Sequence, residues 1–299
     1  MKSLRVNLYD AFACELHGGN VAGVVYCEAP LATRLMQHLA AELAAPTTGF
    51  VSRESNGWRI RFFTPSQEID MCGHVTVAVF SSLVDDGLLP VDQATRTYAF
   101  TKAGRMDIVI AVDGPRPMIE LKQLPPRFRD VHINKDQMAS LLGLAIDRLH
   151  PSLPLEVVST GLSHLVVPVV HVEALRELKP KNEALACLSR ELGVDTVPVV
   201  AFNGLPVSVM ARSRDLCPGI GNAEEPASGT TNGALACYMA KHGLRDNSSS
   251  IGCAEQGVEM GRYSLIESKL LFDAHGLVMG VSVRGQALLS LTGLLHLPQ

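Results

Sequence analysis

Hydrophobic and polar positions change their period several times along this chain. Leu4 to Phe12, Val21 to Cys27, Thr48 to Val51 and Trp58 to Thr64 alternate or run apolar with β-branched and aromatic residues, which predicts strands. Pro30 to Leu43 carries apolar residues at helical spacing beside a proline, which predicts a helix. Val75 to Val84 is apolar on every side. A helix apolar all round must be buried all round. Gln123 to Asp130, with Pro125 and Pro126, reads as a linker between domains.

The pattern occurs twice. Met71-Cys72-Gly73-His74 and the apolar run ending at Gly87-Leu88 return, 156 positions on, as Ala227-Ser228-Gly229-Thr230 and a run ending at Gly243-Leu244. Upstream, Arg61-Phe62-Phe63-Thr64-Pro65 is echoed by Arg214-Asp215-Leu216-Cys217-Pro218 at a shift of 153. Glu42-Leu43 with Thr47 and Val51 is echoed by Glu191-Leu192 with Thr196 and Val200 at 149. Three blocks in one order, with steadily growing shifts, point to one duplicated unit. The expected fold is α+β: two similar domains, 1–122 and 123–299, each a curled, mostly antiparallel sheet around a buried central helix, facing each other across a cleft that holds the active site. The tail from Gly285 to Gln299 is free to complete either domain.

At 299 residues the chain has room for two such domains. A net charge of −4, only 5% aromatic residues and no basic run argue against nucleic acid as a partner. Met1-Lys2-Ser3-Leu4-Arg5-Val6-Asn7 enters strand-like alternation without an apolar signal core. Apolar stretches such as Leu165 to Val170 are too short to span a bilayer, so a cytoplasmic location without membrane attachment is expected. Seven scattered cysteines form neither a disulfide framework nor a paired-thiol metal site. Cys187 and Cys237 sit in helical apolar runs and read as buried small hydrophobes.

Cys72 is set apart by its neighbours. At the start of a buried helix its thiol meets backbone N–H groups at the positive end of the dipole, which favours the thiolate. The same N–H groups suit a substrate carboxylate, and Ser228 and Thr230 occupy the corresponding turn in the second unit. Preorganised donors of this kind stabilise the enolate-like charge that develops when a carbon beside a carboxylate loses its proton. His74 and Glu225 are the titratable groups nearest the two turns and are the acid–base candidates. Cys72, His74 and Glu225 lack a second histidine or cysteine at ligand spacing, so no metal is expected.

Asp10-Ala11-Phe12, Gly19-Asn20, Phe63-Thr64-Pro65 with Glu68, Cys72-Gly73-His74, Ser159-Thr160-Gly161 and Glu224-Glu225-Pro226-Ala227-Ser228-Gly229 together resemble the phenazine-biosynthesis PhzF-like isomerase family over nearly the whole chain. The resemblance implies a diaminopimelate-epimerase-like fold, a cofactor-independent isomerase and a small carboxylate-bearing substrate. It implies substrate-binding positions at Asn20, Gly73, Ser228, Gly229 and Thr230. The family's catalytic glutamate falls on Thr47, anchored on Phe50-Val51, and its Glu-Asp-Pro aspartate falls on Glu225. A hydroxyl is far too weak an acid to shuttle protons as a carboxylate does near neutral pH. Cys72 falls where the related proline racemases and diaminopimelate epimerases keep one of two catalytic cysteines.

Three readings follow. One is an isomerase in which His74 and Glu225 move the proton. Another is an epimerase, racemase or hydroxyproline-type dehydratase with Cys72 as base. The third is a catalytically silent member that binds a ligand. A homodimer is compatible with all three.

Overall fold

The computed structural model describes residues 3–91, 94–112, 114–245 and 251–297. Strands dominate and a few helices accompany them, so the class is α+β. The chain divides into two compact units, residues 1–122 with 284–299, and residues 123–283.

The first unit contains β1 (Ser3–Ala11), β2 (Asn20–Tyr26), α1 (Thr33–Leu43), β3 (Thr47–Glu54), β4 (Gly57–Phe63), β5 (Glu68–Ile69), α2 (Gly73–Asp85), β6 (Ala94–Thr101), β7 (Gly104–Ala111) and β8 (Met118–Lys122). β1 pairs antiparallel with β2 on one side and with the chain's last strand, Ala287–His296, on the other. The tail therefore belongs to this unit. β2 and β3 run parallel, with α1 as the crossover a parallel pair requires. β3 pairs antiparallel with β4, β4 with β5, β6 with β7 and β7 with β8, while β4 and β6 are parallel across α2.

Helix α2 is the centre of the unit. Every residue from Val75 to Leu83 is buried, as an all-round apolar sequence demands. The helix lies so close to the sheet that a Cβ on Gly49 of β3 would stand 2.7 Å from Val75 Cγ1.

The second unit contains β9 (Arg127–Asp130), α3 (Lys135–Leu142), β10 (Glu156–Ser159), β11 (Ser163–Val169), α4 (Glu173–Glu177), α5 (Asn182–Leu192), β12 (Val197–Ala201), β13 (Ala211–Leu216), β14 (Glu224–Glu225), α6 (Gly229–Lys241), β15 (Ile251–Gln256), β16 (Ser264–Phe272) and β17 (Val278–Gly285). Its ladders repeat those of the first unit. β11 and β12 are parallel, β12 and β13 antiparallel, β13 and β14 antiparallel, and β13 and β15 parallel. Crossover helices α1 and α5 each span 11 residues, and α2 and α6 each span 13. Each two-residue strand carries a glutamate clamped by the strand beside it. Arg61 grips Glu68 at 2.8 and 2.8 Å, and Arg214 grips Glu224 at 2.9 and 2.6 Å. In α6 every residue from Gly229 to Met239 except Thr230 is buried.

Two expectations are corrected. Residues 127–130 are not linker but strand β9, paired with β10, because Phe128 faces the core while Arg127, Arg129 and Asp130 stay exposed, an alternation that the prolines just before it obscure. Cys187 is exposed rather than buried, since it lies on the outer side of the amphipathic helix α5, whose Leu185 and Leu188 face the core; Cys237 is buried in α6.

Candidate active site

In the first unit the site is the turn between β5 and α2. Cys72 is the extended N-cap residue of α2, with φ −147° and ψ 114°, and its side chain makes no capping hydrogen bond. The first-turn N–H groups thus keep their capacity to bind an anion. Thr76 fixes the turn by donating from both its backbone N–H and its hydroxyl to the Cys72 carbonyl, at 3.0 and 2.8 Å.

His74 lies one residue into the helix with Nδ1 3.3 Å from Cys72 Sγ and 3.4 Å from Asn20 Nδ2. Burial pushes its imidazole down to about 4, against a backbone hydrogen bond with Val21 that acts in the opposite direction. The ring is neutral at physiological pH and offers a lone pair to a proton donor. Asn20 is held in place by the segment between β1 and β2. Gly19, at φ +59°, makes the turn into β2, and a Cβ there would stand 2.3 Å from the Ala11 carbonyl oxygen. Upstream, Asp10 Oδ2 accepts the His17 N–H at 2.9 Å, and Gln286 donates to the Ala13 carbonyl at 3.0 Å.

Asn20, Cys72, Gly73 and His74 are therefore brought together. Thr47 is the buried first residue of β3, in parallel register with Ala22, two positions along β2 from Asn20.

In the second unit Glu225, Ser228, Gly229 and Thr230 share the turn between β14 and α6. Ser228 is the N-cap of α6, and its Oγ accepts the Thr231 N–H at 3.3 Å and lies 3.2 Å from Thr230 Oγ1. Asn222 donates to Glu225 Oε1 at 2.7 Å. Gln256 locks the turn: its Nε2 donates to the Glu225 carbonyl at 2.7 Å, and its Oε1 accepts the Ser228 N–H at 3.2 Å and Asn232 Nδ2 at 2.7 Å. Gln123 donates to the Gly229 carbonyl at 2.8 Å.

Behind this turn lies a polar cluster that reading the sequence missed. The Asp215 carboxylate accepts the Thr231 hydroxyl at 2.6 Å, and Thr231 Oγ1 lies 3.0 Å from Ser228 Oγ and 3.3 Å from His164 Nδ1. His164 Nδ1 lies 2.8 Å from Thr196 Oγ1. Burial pushes the Asp215 carboxyl up to about 7; the Thr231 and Thr196 hydroxyls oppose this, and the Glu225 and Glu224 carboxylates add to it. Burial also drives His164 down to about 3. Among the described residues no group of three His, Cys, Asp or Glu side chains is placed to hold a metal ion, and no helix is long and apolar enough to cross a membrane.

These ladders, buried helices and helix-start turns are the architecture of an isomerase family. Residues 9–293 match the phenazine biosynthesis-like proteins (PhzC-PhzF), and the chain belongs to that family. A protein of Deinococcus radiodurans described as an uncharacterized isomerase is 38% identical over 256 residues, covering 83% of this chain and 81% of its own length. The trans-2,3-dihydro-3-hydroxyanthranilate isomerase of Pseudomonas fluorescens is 28% identical over 273 residues, 88% of each chain. The crystal structure of a Bacillus anthracis phenazine biosynthesis protein of the PhzF family superposes with a TM-score of 0.90 at 28% identity, covering 99% of this chain and all of that one. The chain is an isomerase of this family.

Proposed function

We propose that this isomerase moves a proton, without a cofactor, at a carbon beside the carboxylate of a small ring acid related to dihydro-hydroxyanthranilate. The observation that carries the reading is the neutral imidazole of His74, 3.3 Å from Cys72 Sγ at the uncapped start of α2. The carbon's proton passes to an imidazole lone pair, and the electron pair left behind spreads into the carboxylate as an enediolate. The α2 N–H groups stabilise that charge. The imidazolium is short-lived because its surroundings disfavour the charge, so it returns the proton readily to a second carbon of the conjugated system. Thr47 holds position only, because a threonine hydroxyl does not ionise in the working range. The name of the Pseudomonas fluorescens relative supports the substrate class.

A second reading draws on the same contact. Cys72 as base would pass its own proton to His74 and then take one from the substrate, as in a thiol-based epimerase.

Deuterium wash-in separates the two. The protein is incubated in heavy water with trans-2,3-dihydro-3-hydroxyanthranilate, proline, the hydroxyprolines and diaminopimelate, and mass and chirality are followed. Uptake by the dihydro-acid that survives Cys72→Ala and is lost in His74→Gln supports the first reading. Uptake by an amino acid, lost in Cys72→Ala and blocked by iodoacetamide, supports the second. No uptake by any of these compounds refutes both for this substrate range.

A further inference from the structure

We infer that Asp215 is a positioning residue whose carboxyl acts through Thr231 to set the direction of the Ser228 hydroxyl, turning it outward as a donor to a substrate anion when the carboxyl is protonated. This rests on the reading of helix starts as carboxylate-binding ends given above.

The count of hydroxyl protons sets the direction. Thr231 has one hydroxyl proton and lies 2.6 Å from Asp215 Oδ2 and 3.0 Å from Ser228 Oγ. When Asp215 is ionised, that proton goes to the carboxylate, as the stronger acceptor. Thr231 Oγ1 is then an acceptor 3.0 Å from Ser228 Oγ and draws the Ser228 proton inward, which leaves the one Ser228 lone pair not taken by the Thr231 N–H to face outward and repel an anion. When Asp215 is protonated, it donates to Thr231, Thr231 donates to Ser228, and the Ser228 proton is released toward Thr230 Oγ1, 3.2 Å away, or toward a ligand. The Thr231 backbone N–H holds Ser228 Oγ in place in both states.

The duplication shows that this polarity is not a demand of the fold. Ladder register places Asp215 where Phe62 stands in the first unit, since Gly49 pairs with Phe62 as Pro198 pairs with Asp215. Ala22 pairs with Thr47 as His164 pairs with Thr196. Val75 is the third residue after the N-cap of α2, as Thr231 is in α6. Phe62, Ala22 and Val75 are fully buried in the first unit. An apolar pocket in one copy is an acid, an imidazole and a hydroxyl in the other. Asp215 Oδ1 and His164 Nε2 are buried with no hydrogen-bond partner among the described residues, a cost that packing alone does not require.

The groups facing the carboxyl are known from each neighbouring element: Thr231 on α6, His164 on β11, Thr196 just before β12, Glu224 and Glu225 on β14, and Cys217 just after β13. Glu224 is neutralised by Arg214. Burial and the two glutamates raise the carboxyl to about 7, which puts the change of direction in the physiological range.

The test is carbon-13 NMR of the Asp215 carboxyl and Ser228 Cβ between pH 5 and 9, alongside calorimetric binding of 3-hydroxyanthranilate as a stable carboxylate probe. Wild type should show Ser228 Cβ shifting with the midpoint of Asp215. In Thr231→Val, Asp215 should titrate while Ser228 stays silent. In Asp215→Asn, Ser228 should not titrate. Probe affinity should fall about tenfold from pH 6 to pH 8 in wild type, and far less in Asp215→Asn, whose amide does not titrate. A Ser228 signal that ignores Asp215, or follows it in Thr231→Val, overturns the proposal even if the probe binds. Linked titration with a probe that fails to bind at any pH overturns the carboxylate-binding reading of α6 while the hydroxyl coupling stands.

Discussion

Replacing Asp215 by asparagine should make the protein more stable at pH 8 while changing little at pH 4. The buried carboxyl stands at about 7 in the folded chain against an ordinary 3.8. The folded state therefore keeps a proton between about pH 4 and pH 7 that the unfolded chain has released. Stability linked to Asp215 is full below its unfolded value, falls as pH rises through this window, and is flat above it. At about 1.4 kcal/mol per pH unit, the three-unit displacement makes ionised Asp215 a burden of roughly 4 kcal/mol above pH 7. Asparagine is nearly isosteric, offers an oxygen or an N–H to Thr231, and does not titrate. The difference between variant and wild type should thus rise from near zero at pH 4 to several kcal/mol at pH 8. Wild type alone will not show it, because His164 at about 3 and His74 at about 4 cost stability as pH falls below 6.5 and mask the slope. Subtracting the two proteins' urea unfolding free energies at each pH removes what they share, and above pH 6.5 neither histidine adds a slope of its own. A difference that does not change with pH would refute the reasoning. A variant less stable than wild type at pH 7 would show instead an ionised Asp215 paired with a charged His164.

Other outcomes are equally open to test. His74→Gln should lower turnover by about 10²-fold or more, the usual worth of a positioned general acid–base group, while Cys72→Ala should keep it within about tenfold; deuterium wash-in rates decide. Ser228→Ala removes the α6 N-cap acceptor of the Thr231 N–H and should cost about 1 kcal/mol in denaturant unfolding. The two arginine–glutamate forks should differ: Arg214→Met, which strands a Glu224 side chain 11% exposed, should cost about 3 kcal/mol, and Arg61→Met, beside a Glu68 22% exposed, clearly less. Gly49→Ala sets a methyl against Val75 and should cost about 1–3 kcal/mol, read as a lowered melting temperature.

Periodicity and punctuation carried most of the element assignments, because α2 and the strands around it are governed by local rules. An apolar run with no polar face permits only a buried helix, and alternation with β-branched residues permits little but strand. The turn at Cys72-Gly73-His74 was legible for the same reason, since its residues lie together in the sequence and their chemistry follows from a helix start. Asn20 joined them only through the resemblance, because its contact with His74 spans 54 positions. β9 escapes a local reading because two prolines outweigh four residues, whereas its pairing with β10 is made 26 to 32 positions away.

The Asp215 cluster shows where such reading stops. Asp215 was in view as the second residue of a block that echoes Arg61-Phe62-Phe63-Thr64-Pro65, and the mismatch of aspartate with phenylalanine was visible. Its meaning was not, because a carboxylate opposite a phenylalanine reads as ordinary divergence at an exposed position until the ladder shows that position to be buried in both copies. His164 gave less signal still, its counterpart Ala22 being too small to mark a pocket. What identifies the cluster is the conjunction of three long-range facts: burial, pairing register, and contacts spanning 16, 32 and 67 positions. Two units with the same ladders supply a control for such features, since one shows what the packing requires and the other shows what differs from it. By that comparison the acid, the imidazole and the threonine hydroxyl on α6 are additions to the scaffold, and their shared neighbour at the surface end is Ser228.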